Sequence, residues 1–292
     1  MKKIKEIWNL LKQTVHSFIE DEGMKLSASL SYYTIFSIAP LIVIVISVAG
    51  LLFGEDAVAG RVYYQIKSLI GPDAALQIQN IIANVQLQDK GFAGTVVGVA
   101  ILFFGATGVF TEIQSSINYI WSIKAKPKRG ILKYITNRLL SFSLVISIGF
   151  ILMVSLLINS LMDVLYDRLQ HLLNINKASV YILYGVNMVL IFVVITTLFT
   201  VIYKVLPDAY IRWKDALLGS CFTAVLFIIG KFLIGLYIGN SKLGVTYGAA
   251  ASIIIILVWV YYTSIILYLG AEFTKTYARL KGGGIKPNAQ AV

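Results

Sequence analysis

Long apolar runs alternate with short polar stretches along this chain, and the runs are of membrane-crossing length. The segment between Gly244 and Glu272 carries no charge for more than twenty residues. As a helix it would cross a hydrocarbon core of ~30 Å. Comparable runs recur, and the pattern predicts spans at about 28–53, 92–121, 138–162, 179–204, 215–238 and 248–272. The fold class is therefore an all-α integral membrane protein with six transmembrane helices. Two further regions alternate at helical spacing without the length or apolarity to span. In 4–19, Ile4, Ile7, Trp8, Leu11, Val15, Phe18 and Ile19 share a face with lysines opposite. In 58–86, Gly71-Pro72 splits two amphipathic pieces, 58–70 and 73–86, expected to cap the bundle on its outer side. Residues 1–22 are read as an amphipathic helix on the cytoplasmic surface of the membrane, packing against the protein's own spans being the alternative. Residues 28–272 form the membrane domain. The polar, glycine-rich stretch 280–292 is expected to be disordered.

Composition reinforces this class: 58% of the residues are hydrophobic and 13% charged, about half the charge of a soluble domain. A net charge of +11 raises the question of nucleic acid, but the basic residues sit at the ends of apolar runs, as membrane topology requires. Eighteen of the 25 Lys and Arg fall on one side of the predicted spans and six on the other, with Lys231 inside a span. The richer side holds both termini, which are thereby assigned to the cytoplasm. The single cysteine, Cys221, allows neither an intrachain disulfide nor a thiolate metal site.

Candidate chemistry is sparse. The fourteen carboxylates are scattered, and there is no HExxH, CxxC, GxSxG or Walker-type loop. No catalytic residue, metal or cofactor is expected. Lys231 is the informative residue. It lies in the fifth predicted span, slightly to the outer side of its middle, where a charge is costly unless paired or hydrated. Three readings stand open: snorkelling to the outer interface, contact with an anionic group in a cavity, and pairing with Glu112. The first span begins with a hydroxyl-rich half, including Ser31, Tyr32, Tyr33 and Thr34, followed by Pro40, which frees the Phe36 carbonyl and favours a kink. Close helix packing and a polar cavity both account for that pattern. Tyr32, Tyr33, Tyr247, Trp259 and Tyr262 are candidates to line a shared ligand site with Lys231, Ser31 and Thr34. Pro40, Pro207, Glu112, Asn118 and Glu272 are candidates for structural or gating roles. Pro207 lies in the turn before the fifth span, and Glu272 closes the last span at its cytoplasmic edge. Gly94/Gly98, Gly235/Gly239 and Gly244/Gly248 permit self-association.

Four stretches carry a resemblance: ASLSYYTIFSIAPL (28–41), GATGVFTEIQSSINYIW (105–121), LPDAYIRWKDALLGS (206–220) and YGAAASIIIILVWVYYTSIILYLGAEFT (247–274). In order and spacing the chain resembles the YihY/BrkB family of bacterial inner-membrane proteins over nearly its whole length. That resemblance implies six spans in the bacterial cytoplasmic (inner) membrane and no settled biochemical activity. Members have carried the label ribonuclease BN, and others have been tied to serum resistance or envelope lipid export. A ribonuclease needs an acid–base pair or metal cluster beside a basic groove, and the carboxylates here supply neither.

The expected function is binding or transport of an anionic lipid or lipid-linked envelope precursor, with Lys231 as headgroup contact and Pro40 as the break that opens the cavity. Membrane lipids, anionic ones above all, are the expected partners. The alternative is a non-transporting scaffold that recruits envelope proteins through 58–86. A small-solute transporter ranks third, because it would need more buried polar residues.

Overall fold

The computed structural model describes residues 2–37, 108–124, 177–240 and 251–288. These residues are predominantly helical. Helix α1 is Lys2–Glu20. After a two-residue turn, α2 runs over 23–37, and α3 over 108–120. Helix α4 is Lys177–Val205, α5 is Trp213–Asn240 and α6 is Ala251–Tyr277, which a single π-helical turn, Ala278–Gly282, extends. Two short antiparallel strands, β1 (Ala209–Tyr210) and β2 (Lys286–Pro287), complete the described fold, with Ala209 opposite Pro287 and Tyr210 opposite Lys286.

Helix α6 is the centre. Helices α1 and α5 both pack on it, and α4 packs on α5. The core gathers Ile117 and Ile120 of α3, Phe199 and Tyr203 of α4, Ile211 of the α4–α5 connection, and Leu267, Tyr268 and Ala271 of α6. Outside that core many large apolar side chains are exposed. Met188, Val189 and Val193 are exposed on α4, and Val225, Ile229 and Phe232 recur at three- or four-residue spacing on α5. Among the described residues two stretches, Trp213–Ile234 and Ile256–Lys281, are long and apolar enough to cross a membrane. Helices with apolar outer faces of this extent suit a bilayer, where such surface needs no cover.

Helices α4 and α5 end near the expected positions, and two other ends differ. Helix α2 starts at 23, ahead of the predicted 28, because Gly23 lets the chain turn tightly over α1. A Cβ there would lie 2.2 Å from Phe18 Cε2, so no larger residue fits beneath that ring. Helix α6 continues past Glu272 to Tyr277, since Thr274 and Thr276 remain buried against its neighbours. The expectation of disorder from residue 280 fails for 280–288. The backbone N–H of Asn288 donates to Asp208 O (3.0 Å), and β2 pairs with β1, so main-chain hydrogen bonds order a stretch whose composition predicted none. The span at 138–162, the helices at 58–86 and the glycine pairs Gly94/Gly98 and Gly244/Gly248 lie outside the described residues.

Candidate functional site

Polar side chains that join helices concentrate around the end of α6, the α3 terminus and the α4–α5 connection. The connection opens with Leu206-Pro207-Asp208, and proline there stops α4 because it has no N–H to continue the ladder. The freed segment is clasped by Asn118: Asn118 Nδ2 donates to Asp208 Oδ2 (3.0 Å), and the Asp208 backbone N–H donates to Asn118 Oδ1 (2.9 Å). Gln114 Nε2 reaches the same carboxylate oxygen at 3.4 Å. Both Pro207 and Asn118 are buried. Three residues on, Trp121 Nε1 donates to Ala271 O (3.0 Å), linking α3 to α6. Trp121 reads from sequence as an interfacial anchor, yet its ring is buried in the core. At the head of α5, Arg212 holds buried Asp215 through Nε (2.9 Å) and Nη2 (3.0 Å). Lys204 donates to Ile211 O and lies 5.4 Å from the Trp213 ring centroid.

Close by, one cation serves two carboxylates. Lys275 Nζ lies 2.8 Å from Asp21 Oδ2 and 3.6 Å from Glu272 Oε2. Glu272 is completely buried, and among the described residues neither of its oxygens has a hydrogen-bond partner within 3.5 Å. Burial works to raise the Asp21 carboxyl, but the Glu272 and Lys275 side chains outweigh it and hold the group below its ordinary value. A groove of about 340 Å³ runs beside this cluster between α1 and α6, lined in part by His16, Glu20, Lys275 and Arg279.

Deeper along α5 and α6, small residues mesh. A Cβ on Gly219 would meet Thr274 Oγ1 at 1.8 Å, one on Gly270 would meet Thr223 Oγ1 at 1.9 Å, and one on Gly230 would meet the Tyr262 hydroxyl at 1.8 Å. Between them, the Tyr203 hydroxyl donates to Leu267 O (2.7 Å) and lies 3.0 Å from Thr223 Oγ1, which donates to Gly219 O (2.8 Å). The Tyr262 hydroxyl donates to Leu226 O (3.2 Å), and Trp259 meets Phe227 edge-on at 5.9 Å.

The sequence-predicted residues divide among these places. Lys231 belongs to α5, one residue beyond Gly230, so it shares a helix with the contacts of Trp259 and Tyr262. The hydroxyls of α2 close bonds within their own helix: Ser31 Oγ donates to Ser27 O and Thr34 Oγ1 to Leu30 O, both at 2.7 Å. Tyr32 and Tyr33 are exposed on α2, edge to face with each other, and Tyr33 also lies beside Gly108 of α3. Among the described residues no contact joins this tyrosine pair to Trp259 or Tyr262. Glu112 is half-exposed on α3. Pro40 and Tyr247 lie outside the described residues. Sequence reasoning missed Asp208, Asp21, Tyr203, Thr223 and Lys275. Tyr203 and Thr223 carried a usable signal, since a hydroxyl in an apolar span requires a partner on a neighbouring helix.

Among the described residues no three His, Cys, Asp or Glu side chains gather to hold a metal. The polar groups here tie helices to one another, and the arrangement places a buried carboxylate beside a shared cation.

Comparison with known proteins places the chain in context. The family model described as Virulence factor BrkB matches residues 14–292. A UPF0761 membrane protein of Psychrobacter sp. (strain PRwf-1) is 27% identical over 278 residues, covering 92% of this chain and 48% of that protein. UPF0761 membrane proteins of Saccharophagus degradans and Azotobacter vinelandii are 27% and 28% identical, covering 92% and 87% of this chain and 59% and 60% of theirs. The chain thus spans about half to three-fifths of the length of these relatives. No solved structure matches it.

Proposed function

The chain belongs to the family described as Virulence factor BrkB, a family of membrane proteins, and from that premise we propose a multi-pass protein of the bacterial cytoplasmic membrane that takes an anionic lipid or lipid-linked envelope precursor as its ligand. The observation that carries this reading is the setting of Lys231. It lies inside α5, a helix long and apolar enough to span a membrane, and its neighbours Ile229, Phe232 and Leu233 are exposed. A cation at such a position costs ~2.5–3.5 kcal/mol on insertion scales, a cost that a lipid phosphate offsets. Trp259 and Tyr262 pack on the same helix within a few residues of it, giving the ligand an aromatic border. The apolar runs and the Lys/Arg imbalance support six spans with both termini in the cytoplasm. In this reading the protein binds and moves its ligand without chemistry on it, and Lys231 supplies a charge.

Mass spectrometry of lipids that co-purify with the wild type and with Lys231→Ala tests the proposal, each profile normalised to its source membrane. Enrichment of one anionic lipid class in the wild type and its loss in the variant is the expected result. Identical, membrane-like profiles for the two proteins overturn it.

A further inference from the structure

Helix α1 has two working faces, and among the described residues only one of them meets the rest of the protein. Its inner side carries buried Thr14 and Phe18, and it is held by ion pairs at both ends. Asp21, just past its C-terminus, meets Lys275 at 2.8 Å, and Glu6 in its second turn meets Lys281 at 3.5 Å. Four residues of the face that sequence periodicity picks out as apolar are turned away from that contact. Ile4 is 73% exposed, Trp8 68%, Val15 49% and Ile19 67%. At ~100° per residue these four fall within about a sixth of the helix circumference, whereas Thr14 and Phe18 lie a further quarter-turn or so round on the docking side. The apolar exposure continues beyond the turn at Met24 and along α2 at Tyr32 and Phe36.

We propose that the Ile4–Trp8–Val15–Ile19 stripe of α1 lies in the cytoplasmic leaflet, seated at the headgroup–acyl boundary of an anionic lipid surface while α1 remains docked on α6. Three observations select lipid over protein as the occupant. The stripe is continuous with the exposed apolar residues of α2, and helices α4 and α5 of the same membrane protein also present apolar outer faces. Lys2, Lys3, Lys5 and Lys12 outnumber Glu6 and Glu20 on this helix, and cations beside an apolar stripe complement anionic headgroups. The opposite face carries Asn9, Gln13, His16 and Glu20, all exposed, as a helix half-sunk in an interface requires. Trp8 on the stripe has the ring chemistry that favours this depth. This assignment rests on membership of a membrane-protein family and not on the Lys231 site.

The test uses the full chain with Cys221→Ser, reconstituted in vesicles of phosphatidylcholine with phosphatidylglycerol. Single cysteines are placed at Ile4, Trp8, Val15 and Ile19, and for comparison at Asn9, Gln13 and His16, each carrying a nitroxide label. Stripe labels should be accessible to oxygen and shielded from a water-soluble nickel relaxant, at a depth of ~5–10 Å in the interface. Labels at 9, 13 and 16 should behave as aqueous. Nickel accessibility along the whole stripe would overturn the proposal. So would stripe labels that become shielded only at high protein density with label–label broadening, since a second copy would then be the cover. A single stripe variant that fails to reconstitute leaves the other three positions to decide.

Discussion

Gly270→Ala is the sharpest test of how this membrane domain holds together. The added methyl would lie 1.9 Å from Thr223 Oγ1, 2.3 Å from the Tyr203 hydroxyl and 3.1 Å from Thr223 Cβ. It would enter a junction where two hydroxyl protons already serve three close contacts, to Leu267 O, to Gly219 O and between the hydroxyls themselves. Thr223 cannot rotate away without losing Gly219 O, and Tyr203 cannot retreat without losing Leu267 O. The remaining escape is to move α6 off α5. Overpacking of a close-packed core costs ~1–3 kcal/mol. Each lost interhelical hydrogen bond adds ~0.6 kcal/mol in a membrane protein, so the expected destabilisation is about 2–4 kcal/mol. Titration with SDS in mixed dodecylmaltoside micelles, followed by tryptophan fluorescence, measures it. Gly185→Ala is the control, because among the described residues a Cβ there meets nothing within 4 Å, and it should be neutral or slightly stabilising. Thr223→Ala removes the nearest oxygen, so the Thr223→Ala/Gly270→Ala double variant should be less destabilised than the sum of the singles. Unfolding of Gly270→Ala at the same SDS fraction as wild type, or equally large losses for Gly185→Ala, would refute the packing argument.

Other outcomes follow from the ties around α6. Asn118→Ala strips the Asp208 backbone N–H of its partner and leaves the carboxylate only the longer contact from Gln114, which should cost ~1–3 kcal/mol and lower the thermal midpoint in detergent. Lys275→Gln leaves Asp21 and Glu272 without their shared cation, so α1 should loosen and trypsin should cleave at Lys25 faster than in wild type; an unchanged rate would dissociate the ion bridge from α1 docking. The Asp21 carboxyl is held below its ordinary value of 3.8 in the fold, so its contribution is fully present above that pH and lost only as pH falls below it. Cleavage at Lys25 by an acid-tolerant protease should therefore stay slow near pH 5 and rise in more acidic buffer, and Asp21→Asn should flatten that rise.

The helical class was legible in the sequence because length and apolarity alone set it. The α4 and α5 limits follow from the charges at Lys177, Lys204, Arg212 and Lys214 and the helix-breaking Pro207. What sequence left open was the role of polarity inside the spans. Ser31 and Thr34 look like the wall of a cavity, yet each returns its proton to the carbonyl four residues back, a local bond that periodicity cannot distinguish from a ligand contact. Glu272 reads as a boundary residue because hydropathy runs end at charges, whereas its carboxylate is buried beside a lysine one turn later. Partners such as Asn118 and Asp208 are 90 positions apart, and nothing in one sequence ties them. Trp121 followed a general preference of tryptophan for interfaces, and the specific acceptor at Ala271 overrode it.

The central position of α6 also sets an order of events at the ribosome. Asp21 lies 254 positions ahead of its partner Lys275, Trp121 lies 150 ahead of Ala271, and Tyr203 lies 64 ahead of Leu267. Synthesis at ~5–20 residues per second leaves each of these groups waiting in the nascent chain for seconds to about a minute. Until the last helix is made none of these contacts can form, and its arrival closes all of them together. Assembly of this domain is thereby a terminal event, and a ribosome that stalls before residue 251 releases a product with every one of these bonds missing.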